Sequence, residues 1–292
     1  MDEDPKQNKL NDEDAIYRVP DSHNEEDAER LDELTRVVKE ESKKMGFFDR
    51  LVNLFISPGE LFQNLIKFPV ILAPYFLCVF ISLIQIPGMM AYTEITTQAL
   101  SNYSMERFGV DLTAAGLSAT DDFPDDFNID ALINMGMYIG FAFSAFITPL
   151  IMALITAAGL FLLSKIFRGQ ATFMQMFSMC MHILVITMIG MALLIYLAPI
   201  TNSMFMPTSL AAIFMPHASM DNVLALFLGS IEIFSIWGLI LTFIGVKRIN
   251  DFSSGKTAAV VGVYWVVSIA IAIIAGLAVI WGLNLTAGAL GL

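Results

Sequence analysis

The sequence predicts an all-α integral membrane protein, with five transmembrane helices preceded by amphipathic interfacial helices. Three observations carry this prediction. Of the 292 residues, 56% are hydrophobic and only 15% are charged, where a soluble domain averages about 25% charged. The apolar residues gather into five blocks, each long enough to cross a hydrocarbon core of about 30 Å, which takes ~20 residues of helix. Fifteen of the sixteen Lys and Arg residues lie in three places: the N-terminal stretch through Lys67, the break holding Lys165 and Arg168, and the break holding Lys247, Arg248 and Lys256. Arg107 is the exception. Positive charge collects in cytoplasmic loops, so the N-terminus is expected in the cytoplasm and, after five crossings, the C-terminus outside.

Residues 1–45 hold fifteen acids and eight bases with no sustained apolar stripe. Such a composition buries too little surface to offset ordering entropy, and predicts a largely disordered cytoplasmic tail. It has no basic region leading into a short apolar stretch, so the first apolar block is expected to act as the insertion signal itself. Residues 46–67 read as two short amphipathic helices. In the first, Gly46, Asp49, Arg50, Asn53 and Ser57 share a polar face, and Phe47, Phe48, Leu51, Val52, Leu54 and Phe55 cover the other. Ser57, Pro58 and Glu60 then read as N-cap, first helical position and capping-box acid of the second helix. Its polar face is Glu60, Gln63, Asn64 and Lys67, and its apolar face Leu61, Phe62, Leu65 and Ile66. The pair is expected to lie flat on the membrane surface or to pack on the end of the bundle.

The five spans are placed at about 68–90, 136–163, 171–198, 223–246 and 257–282, within a membrane domain covering 68–292. Short hinges, SKIFRGQ and KRINDFSSGK, join spans two to three and four to five as antiparallel hairpins. Pro69, Pro74, Pro87 and Pro149 predict bent ends or a kink, which neighbouring helices tolerate in lipid. Ala272 and Gly276 form a small-residue pair at i, i+4, and Trp281 sits where an outer aromatic belt belongs. Segment 91–135 is an acidic outer loop, with a short helix expected over Thr93 to Phe108. Within it Asp126, Asn128 and Asp130 open like a calcium loop. Ala131 then replaces the required Gly and Met137 the bidentate Glu, so the segment reads as a solvated acidic loop. Asn102 and Asn284 begin glycosylation sequons on the same side, which spacing alone produces by chance.

Several segments together resemble the Yip family, the Ypt/Rab-interacting membrane proteins. They are FFDRLVNLFISPGELFQNL before the first span, FRGQATFMQMFSM at the third, IEIFSIWGLILTFIGVKRI closing the fourth, and Gly255-Lys256 opening the fifth. The resemblance runs from about Gly46 to Trp281. It implies a five-span bundle with a cytoplasmic N-terminal region and, in eukaryotic relatives, membrane trafficking with Rab-type GTPases. Here LDELTRVVKEE stands where those relatives carry a double proline and a Leu-Glu-Glu-Leu-Gly-like run. The missing tail motif argues against a Rab-type partner and points to the prokaryotic branch and a bacterial cytoplasmic membrane.

The chemistry on offer is sparse. The net charge of −12 argues against nucleic acid, whose phosphates demand basic patches. Cys78 and Cys180 lie inside apolar blocks and read as small buried side chains, not ligands. His23, His182 and His217 are far apart, with no carboxylate or Cys at metal spacing. Neither H-E-x-x-H, G-x-S-x-G nor a P-loop occurs, so no catalytic, cofactor or metal residue is assigned. Methionines such as Met174, Met176, Met179 and Met181 read as packing or lipid-facing. Glu232 and His182 are the two ionisable side chains placed within spans, near the bilayer midplane. Such groups are costly and functional by default, at ~2.5 kcal/mol or more on insertion scales. They form the candidate intramembrane polar site, either as a pair or with Glu232 as internal glue. Arg50, Lys67, Lys165, Arg168, Lys247, Arg248 and Lys256 are the candidate membrane-surface contacts. The reading is a non-enzymatic membrane protein that organises the bilayer, protein partners or copies of itself. The alternative is a small transporter or channel using Glu232 and His182.

Overall fold

A computed structural model describes residues 44–109, 129–201, 205, 207–215, 218 and 221–289. The tail through residue 43, the acidic stretch 110–128 with Asp126 and Asn128, and His217 lie outside the described residues. Those described form helices and turns, without a strand. In chain order the helices are α1 (Phe47–Ile56), α2 (Pro58–Lys67), α3 (Leu72–Phe108), α4 (Ile129–Ile166), α5 (Phe173–Thr201), α6 (Leu210–Phe214), α7 (Val223–Gly229), α8 (Ile233–Asn250) and α9 (Ser254–Ala289). Five of them, α3, α4, α5, α8 and α9, are long and apolar enough to cross a membrane.

Helix α5 is the hub, packed against α3, α4 and α8. Its run from Met176 to Ile186 is buried on every side, as expected of a helix enclosed by others. Met176, Met179 and Met181 are packing residues there, and Met174 is exposed. Helix α9 is peripheral: only 6% of its apolar window is buried. Its Val263, Val266, Val267, Ile271 and Ile274 face outward, as residues solvated by lipid do. It is held to α4 by the Tyr264 hydroxyl, which donates to Thr156 Oγ1 at 3.1 Å. Gly276 meets Leu226 of α7, whose Cδ1 lies 3.6 Å from where a Cβ would stand.

Two interior prolines are handled alike. A proline lacks the N–H that would bond back along its helix, and it crowds the preceding turn. In both cases the carbonyl three residues earlier accepts a tyrosine hydroxyl from a neighbouring helix. Tyr196 of α5 donates to the Ile84 carbonyl, before Pro87. Tyr75 of α3 donates to the Phe146 carbonyl at 3.0 Å, before Pro149. Beyond Pro87, α3 does not stop near residue 90 but continues to Phe108, so the expected separate helix over Thr93 to Phe108 is its last turns. Gly109 closes it at φ 70°.

The two basic hinges meet at Asn250. Its side-chain carbonyl accepts from Ala171 N at 3.2 Å. Its amide donates to Val246 O at 3.1 Å and to Ser164 Oγ at 3.5 Å. Residues Arg168 (φ 61°) and Asp251 (φ 53°) make the left-handed turns that end α4 and α8. One buried amide thus ties α4, α5 and α8 at the end of the bundle that carries Lys165, Arg168, Lys247, Arg248 and Lys256.

The fourth span differs from its predicted form. A single helix over 223–246 is expected from hydropathy. The structure has α7, a break at Ser230–Glu232, and α8. The break has a chemical cause. Glu232 is the N-cap of α8, accepting from Phe234 N at 2.7 Å and from Ser235 N. The Ser235 hydroxyl accepts from Glu232 N at 3.1 Å and reaches the Ser230 carbonyl at 2.9 Å. This reciprocal cap starts a new helix.

Candidate functional site

Polar side chains concentrate at two ends of the bundle. At the basic end, α1 and α2 form a hairpin, and α2 lies across α5 and α8. Pro58 begins α2 as expected, but Ser57 caps it with its backbone carbonyl rather than its hydroxyl, accepting from Glu60 N and Leu61 N. Leu61, Phe62 and Leu65 are fully buried. Phe62 approaches Gly245, which has no side chain to block it: the ring edge lies 3.3 Å from where a Cβ would be. The chain then bonds to α5. Gln175 donates to Ile66 O at 2.9 Å, and Ser178 both accepts from Val70 N (2.9 Å) and donates to Val70 O (2.7 Å).

Arg50 is the centre of this hairpin. Expected at the membrane surface, it is instead turned inward and 3% exposed. It donates to Met45 O at 3.2 Å, Asn64 Oδ1 at 3.1 Å and Phe68 O at 3.3 Å, and its Nη1 is buried without a partner. Three acceptors at the start of α1, inside α2 and just past α2 converge there, and a guanidinium fork reaches all three. Burial lowers the group's pKa, yet an arginine stays charged at ordinary pH. These neutral acceptors offset part of the cost of burying the ion.

With Arg50 and Leu54 inward, the other face of α1 points away from the protein. Phe48, Val52, Phe55 and Ile56 are 76%, 52%, 49% and 75% exposed, at the i, i+4, i+7, i+8 positions of one stripe. Lys67, Lys165, Arg168, Lys247, Arg248 and Lys256 are all exposed at this end. Lys165 lies 5.1 Å over the Phe161 ring and Lys256 5.9 Å over Phe252. The Arg248 guanidinium stands beside Gly59 of α2. An exposed apolar stripe on α1 and six exposed cations thus occur at the same end of the bundle.

The structure does not bring Glu232 and His182 together. His182 is 5% exposed, with Nδ1 2.7 Å from Ser178 O, on the side of the ring toward the basic end. Glu232 caps one end of the 18-residue α8, about 27 Å long at 1.5 Å per residue, and so stands at the edge of that span, not at its middle. Among the described residues no hydrogen bond joins the two. Glu232 instead lines a cavity of about 410 Å³ with Tyr92 and Thr96 of α3, Thr187, Gly190, Met191 and Leu194 of α5, Phe205, and Leu226 and Gly229 of α7. Phe234 packs so closely on Gly190 that a Cβ there would lie 2.9 Å from its ring.

Sequence reasoning singled out Glu232 but not the other lining residues, which come from three helices and from Phe205 between helices and carry no spacing signal. It also missed Asn64, Ser178 and Asn250, buried polar residues whose partners lie up to 108 positions away. The short Ser230–Ser235 segment did hold a readable signal, since a serine three residues after a glutamate is a capping box reversed.

The family model described as the Yip1 domain matches residues 52–277. No curated protein and no solved structure matches the chain.

Proposed function

The chain belongs to the Yip1 domain family and is a multi-pass integral membrane protein, and on that premise we propose that it works without catalysis, organising membrane or partner proteins from its basic end. The observation that carries this reading is the α1 stripe of Phe48, Val52, Phe55 and Ile56, exposed while Arg50 is buried, at the end of the bundle that also carries six exposed cations. Apolar surface of this kind is costly in water at about 25 cal/mol per Å². Bilayer headgroups and acyl chains suit the combination, because anionic lipid attracts the lysines and arginines while the aromatics insert. The basic end then faces the cytoplasm and the C-terminus lies outside. Protein partners or a second copy dock beside this anchored hairpin. A photo-cross-linking residue at Ile56 and another at Lys247, in native membranes, test the arrangement. Lipid adducts are expected at 56 and a discrete protein adduct at 247. Absence of any protein adduct, with no change in phenotype when residues 1–67 are removed, would sink the organising role.

A second reading, a small transporter or channel, draws on one observation: Glu232 lines a cavity. It uses Glu232 without His182. Counter-ion flux in proteoliposomes that Glu232→Gln abolishes would favour it, and equal flux in empty liposomes would dismiss it.

A further inference from the structure

The cavity at the end away from the hairpin has the size of a small-molecule site, which runs at about 300–1,000 Å³, and it is partly open. Its wall is mostly apolar: Met191, Leu194, Phe205 and Leu226, with the bare backbones of Gly190 and Gly229. Polar groups are few. The Thr96 hydroxyl is tied to the Thr93 carbonyl of its own helix at 2.9 Å. Glu232 brings the formal negative charge, and among the described residues the lining includes no Lys, Arg or His.

Two features leave that carboxylate able to bind a cation. It sits at the N-terminus of α8, where the helix dipole favours negative charge. Each of its oxygens takes one backbone N–H, from Phe234 and Ser235, while a carboxylate offers about four lone-pair sites. Capacity therefore remains on both oxygens. A divalent metal would need several more oxygen ligands than the described lining residues supply. An anion would meet Glu232 as a like charge. The wall is also well built: the Phe205 ring lies 3.0 Å from where a Gly229 Cβ would stand, and Leu226 is braced on Gly276 of α9.

We propose that this cavity binds a lipophilic monocation, whose apolar body lies against Met191, Leu194, Phe205 and Leu226 and whose positive charge sits beside the Glu232 carboxylate. The site is separate from the hairpin and its role, and binding there requires no transport. Full-length protein in nanodiscs, titrated with radiolabelled tetraphenylphosphonium, tests it against empty nanodiscs. Tetraphenylborate, of the same shape and opposite charge, is the control. Saturable phosphonium binding is expected, with none for the borate. Glu232→Gln is expected to weaken it about tenfold or more, as loss of a close opposite charge in a partly desolvated site does. Thr187→Phe, which fills the cavity from α5 and keeps Glu232, is expected to abolish it. Phosphonium uptake no greater than in empty discs, equal saturation by the borate, or unchanged binding in a folded Glu232→Gln protein would overturn the proposal. If Glu232→Gln does not fold, Thr187→Phe and the borate comparison decide alone: unchanged binding in folded Thr187→Phe overturns it equally.

Discussion

Arg50 shows how far a single side chain can depart from its pattern. On a helical wheel it belongs to the polar face of α1, and a surface position follows. Its acceptors are Met45 O, Asn64 Oδ1 and Phe68 O, and two of them belong to or follow the next helix. Their convergence depends on the angle between α1 and α2, which no periodicity encodes. Replacing Arg50 by Met removes the buried charge but takes that donor from the Met45 and Phe68 carbonyls, while Asn64 Oδ1 keeps Met45 N. The lost hydrogen bonds win, because an unsatisfied buried polar atom costs about 1–3 kcal/mol. Arg50→Met is therefore expected to melt earlier than the wild type in detergent, and to expose the bond after Lys67 to trypsin. Melting at or above the wild-type temperature, with that bond still protected, would mean the fork is dispensable. Glu232 departs in another way. Hydropathy reads Ser230 to Ser235 as the middle of a span, whereas hydrogen bonding within those six residues starts a helix there.

At the scale of elements, sequence and structure agree wherever one segment's composition decides. Five apolar blocks become five spanning helices, and the two terse hinges become tight turns. Disagreement arises where a neighbour decides. Helix α3 passes through Pro87, and Tyr196 donates to the Ile84 carbonyl next to the break. Helix α4 passes Pro149 with Tyr75 in the same role. Tyr75→Phe and Tyr196→Phe each remove only that hydroxyl. Each is expected to cost about 0.6 kcal/mol, the average for a polar contact between membrane helices, and the two should add, since they serve different helices. Equilibrium unfolding in mixed micelles measures this. A double variant as stable as the wild type would show that the Ile84 and Phe146 carbonyls need no such partner.

Across the described residues, the bases of the two hinges, with Arg50 and Lys67, mark one assembled end. Asn250 ties α4, α5 and α8 there, and the α1–α2 hairpin lies over it. The opposite end holds the cavity beside Glu232. The first arrangement was partly legible, because positive charge and amphipathic stripes are local properties. The cavity was not, because it is assembled from short stretches of α3, α5, α7 and the residues between them.

The central claim is that the outward face of α1 is a lipid-facing surface at this end. The most direct measurement places a spin label at Cys substitutions of Phe48, Asp49, Val52 and Ile56 in nanodiscs; Cys78 and Cys180 are buried. Relaxation by oxygen, which concentrates in lipid, is compared with relaxation by a water-soluble nickel chelate. Labels at 48, 52 and 56 are predicted to favour oxygen, and the label at 49 to favour nickel. Equal access of nickel to all four positions would contradict the account.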